Sequence, residues 1–299
     1  VSQGWLEQRE RSTSAALRAL VWVTLALGRR TGRALLYPIS LYYLAFSVRA
    51  RRASRKYLAR VLERAPSLRD VFRHYHTFAS VALDRVFFLK ARFAEFDVRV
   101  EGEDILREAV AAGEGCLLIG AHLGSFEALR ALGRDKPVRV NLVMYEENAR
   151  NVIAVTKAID STLAEAVIPL GRFDSMLQVA QRLERGEWIG VLGDRALDRE
   201  GMVRVPFLGE EAGFPASPFR IAGMLKRPVV LMVGLYLGGN RYHLHFERLI
   251  GEGELALRDP QAVERWVQRY AQRLEHYCRL APYNWFNFYD FWDARKSVH

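Results

Sequence analysis

The sequence predicts an α/β fold: a single layered domain with a central mixed, largely parallel sheet flanked by helices, preceded by N-terminal membrane-associated helices. Three observations predict it. From residue 96 onward, short apolar runs, several bounded by glycine, alternate with stretches of helical periodicity. Two of the later runs face each other across a glycine turn, which adds an antiparallel pair to the sheet. The first 60 residues combine long apolar runs with clustered arginine.

Leu17–Leu27 reads LRALVWVTLAL and Ala34–Val48 reads ALLYPISLYYLAFSV, with GRRTGR between them and a basic cluster from Arg49 to Lys56 after them. Residues 1–60 hold twelve basic side chains against two acidic ones; beyond them 32 of each sign cancel, so this segment carries the whole net charge of +10. Neither run reaches the roughly 20 apolar residues of a bilayer crossing. Two arrangements stay open: one tilted span with snorkelling arginines, or a pair of helices lying in the interface. Arginine on both flanks, with Trp22, Tyr37, Tyr42 and Tyr43 near the edges, favours the membrane over a pair of buried helices. Segment 1–60 is therefore expected to be the membrane-associated part and 61–299 the α/β domain. A cleaved signal peptide is not expected, because the apolar runs continue too far.

Within the second part, Leu68–Leu89 has helical spacing, FDVRV at Phe96–Val100 alternates like a strand, and Ile105–Ala112 is a short helix. GCLLIGA, from Gly115 to Ala121, is a buried strand. VRVNLVMY from Val138, AVIPL ending at Leu170 and EWIGVLG from Glu187 continue the sheet, with helices expected over Val152–Ala164 and Asp174–Arg185. PVVLMVGLYL and RYHLHFERL form the antiparallel pair, turning at Gly238, Gly239 and Asn240, and Gln261–Leu280 is an amphipathic helix.

At 50% hydrophobic and 26% charged, the composition excludes a disordered chain. Interleaving of the basic residues with apolar runs, and neutrality of the rest, argues against nucleic acid as a partner. Cys116 and Cys278 are too few for a disulfide framework and too far apart for a compact zinc motif. His74 with His76, and His243 with His245, have spacing that can share a face; without a third convergent ligand, no metal site is expected.

The sharpest local feature is GAHLGSFEALRAL, where the buried strand ends and His122 precedes Glu127 by five positions. Inside a continuous helix that step turns about 500°, leaving the two side chains about 140° apart. With His122 in the turn between strand and helix, however, the carboxylate can reach back to one imidazole nitrogen and leave the other free as a base. That is the histidine and carboxylate of a catalytic triad without a protein nucleophile, which suits a substrate that brings its own hydroxyl. Ser125 lies between the two without a G-x-S-x-G elbow, so a serine hydrolase is not expected. No phosphate loop or dinucleotide fingerprint is present.

HLGSFE, at His122–Glu127, resembles the His-x4-Asp/Glu block of glycerolipid and lipid A type acyltransferases. Together with GDRALDREGMVRVPFLG at Gly193–Gly209 and PASPFRIAGMLKRPVV after it, the chain resembles the lipid A biosynthesis late acyltransferase family over nearly its whole length. The resemblance implies that residues 61–299 are an acyltransferase catalytic domain. His122 would be its general base and Glu127 the residue that orients it. It implies transfer of a fatty acyl group from acyl carrier protein or a CoA thioester to a lipid or glycolipid hydroxyl, without a cofactor, at the cytoplasmic face of a bacterial inner membrane. Asp194 and Arg195, directly after EWIGVLG, fall at the strand's C-terminal end and are candidate substrate-binding residues, with Arg195 able to meet a carrier phosphate or an oxyanion. Arg150 and Arg220 are weaker candidates for phosphate or head-group binding. Two alternatives remain: a thioesterase or lipid hydrolase working with the same pair, and a non-enzymatic membrane-binding protein. The aromatic run YNWFNFYDFW, from Tyr283 to Trp292, suits either a lipid interface or a wrap around the core.

Overall fold

Leu117 to Gly120 is buried at every position, and it forms β2, the middle strand of the sheet. The computed structural model describes residues 14–113, 115–132, 139–145, 166–170, 174–195, 201–254, 259 and 261–292. Flanking β2 are β1 (Asp97–Glu101), β3 (Val140–Tyr145), β4 (Val167–Leu170), β5 (Trp188–Leu192), β8 (Val229–Tyr236) and β9 (Arg241–Ile250). They join in the order β1-β9-β8-β2-β5-β3-β4. Every neighbouring pair is parallel except β8 with β9, the antiparallel hairpin expected at Gly238–Asn240. A separate antiparallel hairpin, β6 (Met202–Phe207) with β7 (Glu210–Pro215), was not read from the sequence.

Each face of β2 meets its own core. Leu117 and Ile119 pack with residues of α6 (Ser175–Glu184), α7 (Ser217–Leu225) and α8 (Ala262–Leu280). Leu118 packs on the opposite side with Leu106 of α5 (Glu103–Ala111) and Phe88 of α4 (Leu68–Leu89). A strand covered on both faces has no reason to alternate in polarity, which is why GCLLIGA reads as one apolar run. Helix α4 is fixed at its start by a reciprocal cap between Ser67 and Asp70. The helix expected over Val152–Ala164 lies outside the described residues.

The N-terminal helices α1 (Ser14–Leu27), α2 (Arg29–Phe46) and α3 (Val48–Val61) correct part of the sequence reading. Among the described residues, no helix is long and apolar enough to cross a membrane, so the tilted span is unsupported. Nor do all the arginines face outward. Arg29 and Arg33 reach the fully buried carboxylate of Asp84 on α4 at 2.7 and 2.6 Å, with the Tyr242 hydroxyl at 2.8 Å. A buried Asp needs such counter-charge, and two arginines counted as surface charge supply it. In α3, Tyr57 and Leu58 have no exposed surface and belong to the main core, so packing is continuous across residue 60. Elsewhere on the segment, Trp22, Tyr37, Leu41, Tyr42 and Phe46 are all at least half exposed.

Candidate active site

β2 and β5 run side by side in parallel, with Gly120 opposite Leu192, so whatever follows each strand emerges at the same edge of the sheet. Ala121 and His122 follow β2; Gly193 and Asp194 follow β5. The two exits are tied by a Gly193 N–H to Gly120 carbonyl bond of 2.9 Å. The turn beyond His122 is held from two other directions. Ser125 donates its N–H to the Gly234 carbonyl at the end of β8, and Gly124 donates to the Asn284 carbonyl. Gly124 has φ +66°, and a Cβ there would run into the Gly234 carbonyl, so the turn requires glycine.

This framework delivers His122 to Asp194. The imidazole Nδ1 lies 2.8 Å from Asp194 Oδ1, and the His122 backbone N–H donates to Oδ2 at 3.0 Å. Oδ2 also accepts from Trp285 Nε1 at 2.9 Å, which gives the almost fully buried carboxylate three donors. Burial opposes its charge, but His122, Arg195 and the Trp285 N–H outweigh burial and hold the Asp194 carboxyl well below the usual range. A carboxylate only accepts, so Nδ1 carries the ring proton and the lone pair sits on Nε2. Desolvation, then the positive charges of Arg195 and Arg85, lower the His122 pKa against the pull of Asp194, which keeps the ring neutral at pH 7. Its side chain is 34% exposed, so the ring keeps an open edge.

Glu127 is elsewhere. It begins a 3₁₀ turn, Glu127–Leu132, where a regular helix was expected, and its Oε1 pairs with Arg85 of α4 at 2.8 Å. Oε2 accepts a long bond of 3.3 Å from the Ser125 hydroxyl. The carboxylate on His122 Nδ1 is therefore that of Asp194, and Glu127 instead holds a guanidinium whose charge reaches the imidazole. Arg195 donates to the Phe286 carbonyl at 2.6 Å and lies over the Tyr289 ring, close enough for its charge to act on both His122 and Asp194. Arg220, exposed on α7 with its guanidinium near Gly201, has no described contact with His122. Arg150 lies outside the described residues.

A family model described as bacterial lipid A biosynthesis acyltransferase matches residues 11–293. The chain belongs to that family. Its histidine therefore stands in an acyltransferase. A comparison with curated proteins gives no match that meets the threshold for similarity.

Of the two settings that the sequence of this family member left open for the aromatic tail, the structure gives the wrap around the core to its buried part. Trp285 has no exposed surface, and Asn287 and Asn284 are almost as buried, so this part of the run wraps the core. The Phe286 N–H donates to the His122 carbonyl at 2.7 Å, and the Asn284 side chain spans both backbone groups of Tyr236. Behind Trp285 stands His74, whose Nε2 meets the Trp285 carbonyl and whose Nδ1 meets Ser54 Oγ, both at 2.8 Å. His74 is thus a buried structural ring. The only sequence signal for this role was the density of aromatics with amides between them, which marks side chains that fill volume yet need hydrogen-bond partners.

Proposed function

We propose that the protein transfers a fatty acyl group from a thioester on acyl carrier protein or CoA to a hydroxyl of a lipid A type acceptor, with His122 as general base and Asp194 as the residue that orients it. The observation that carries this reading is the Nδ1 contact to Asp194, which leaves the His122 Nε2 lone pair at an open ring edge. The acceptor hydroxyl gives its proton to Nε2 as its oxygen attacks the thioester carbon. The resulting imidazolium is stabilised by Asp194, the C–S bond breaks, and the proton passes to the leaving thiolate. Atoms balance as one ester and one free thiol. Nearby Arg195 supplies positive charge for the carbonyl oxygen as it becomes negative. The chemistry asks for no protein nucleophile, and Ser125, buried and bonded to Glu127 and the Ala128 N–H, is not placed to be one.

The exposed Trp22, Tyr37, Leu41, Tyr42 and Phe46, beside the basic cluster Arg49–Lys56, support attachment to the cytoplasmic face of a bacterial inner membrane by helices lying in the interface. Thiol release and acyl-lipid formation, measured together, test the assignment. Equal yields of both, with thiol release dependent on added acceptor, are expected. Thiol release at full rate without acceptor would make the protein a thioesterase.

A further inference from the structure

The pair His243 and His245, two apart on β9, gains in the fold the third ligand that it lacks in sequence. β1 lies parallel to β9 with Glu101 opposite His245, and Glu101 Oε2 stands 3.2 Å from His245 Nδ1 and 3.6 Å from His243 Nε2. The two rings are 4.0 Å apart between centroids, and one ligand atom from each of the three residues lies within 4.8 Å of the others. A zinc ion bound at about 2.1 Å in tetrahedral geometry holds its ligand atoms about 3.4 Å apart. The two carboxylate-to-imidazole separations bracket that value, and the longer is beyond hydrogen-bond range.

We propose that Glu101, His243 and His245 form a binding site for a divalent transition metal, best suited to zinc, with water as the remaining ligand. His245 is buried, His243 is partly open and Glu101 is exposed, so an ion would sit at the surface with an inner imidazole wall and an outer face to solvent. The neighbours support this ligand set. Glu247, next on the same face of β9, is engaged by Arg273 and Tyr277 of α8, both at 2.5 Å, and so is not drawn into the cluster. Two imidazoles with one carboxylate select zinc or a similar transition metal over calcium or magnesium, which take oxygen ligands. With β8 and β9 between β1 and β2, the site is separate from His122 and would fasten edge strand β1 to β9.

The test uses the full chain without a histidine tag, freed of metal by chelator and titrated with zinc by calorimetry. One equivalent binding at micromolar Kd or tighter is expected, with a Tm rise of about 5 °C at roughly 100-fold excess over Kd. Cobalt(II) in place of zinc should give the intense visible bands of a four-coordinate ion. Glu101→Gln and His243→Gln, both at solvent-facing positions, should each weaken zinc binding at least about tenfold and abolish the cobalt bands. An absence of stoichiometric zinc binding overturns the proposal, and so does an isotherm unchanged in both variants.

Discussion

Asp194→Asn separates the tautomer role of this carboxylate from its structural one. Asp194 Oδ2 faces two donors, the His122 N–H at 3.0 Å and Trp285 Nε1 at 2.9 Å, while Oδ1 faces one, His122 Nδ1 at 2.8 Å. An asparagine has a single acceptor oxygen, and it satisfies more donors at the Oδ2 position. Its NH2 group then points at His122 Nδ1, which must become the acceptor, so the ring proton moves to Nε2 and the base is lost. The same exchange in a serine protease triad costs about 10⁴ in rate. A loss of 10³- to 10⁴-fold in kcat, or about 4–5.5 kcal/mol of barrier, is expected here. Stability should change by less than about 2 kcal/mol, because losing charge-assisted bonds is offset by no longer burying a charge. Kinetics with an acyl thioester and a detergent-dispersed lipid acceptor, beside urea unfolding followed by circular dichroism, measure both quantities. A folded Asp194→Asn protein within tenfold of the parent rate would refute the tautomer argument.

Glu127→Gln should behave differently. Removing the charge that balances Arg85 leaves more positive potential at His122, so the acid limb of the pH–rate profile should move to lower pH, with less than about tenfold loss of kcat at pH 8. A loss equal to that of Asp194→Asn would make Glu127 the orienting residue after all. For stability, burial lowers the His74 pKa to about 4 in the fold against 6.5 unfolded. Below pH 6.5 the unfolded chain therefore binds a proton that folded His74 does not. Stability from this residue falls between pH 6.5 and 4 by about 3 kcal/mol, at up to roughly 1.4 kcal/mol per pH unit. His74→Asn should remove that part of the acid sensitivity of the urea midpoint, and an unchanged slope would show that another group carries it. Leu41→Glu with Phe46→Glu should weaken binding to anionic vesicles about 10- to 100-fold and spare transfer to detergent-dispersed acceptor. Undiminished vesicle binding would move the membrane contact to another surface.

The strands that build the sheet were legible because a strand buried on both faces must be apolar, as GCLLIGA and EWIGVLG are. His122 stood out for the same reason: a titratable ring directly after such a strand has left the core at the sheet edge. Its partner was harder to read. Glu127 is close in chain but faces Arg85, whereas Asp194 is 72 residues away and arrives only through the parallel register of β2 with β5. Glu101 meets His245 by the same means, through the pairing of β1 with β9. Local spacing carries turns and helix faces, and does not carry which strands become neighbours. The N-terminal arginines illustrate the converse error: charge counted along a sequence treats Arg29 and Arg33 as surface, although a buried Asp84 had claimed both.

The central claim is that the Nε2 lone pair of His122 removes the proton of the acceptor hydroxyl. Single-turnover acyl transfer by His122→Gln, with the enzyme in excess over the thioester donor and folding checked by circular dichroism, tests it most directly. The account predicts a loss of at least about 10²-fold at saturating acceptor with donor binding retained. Transfer at the parent rate by the folded variant would contradict it.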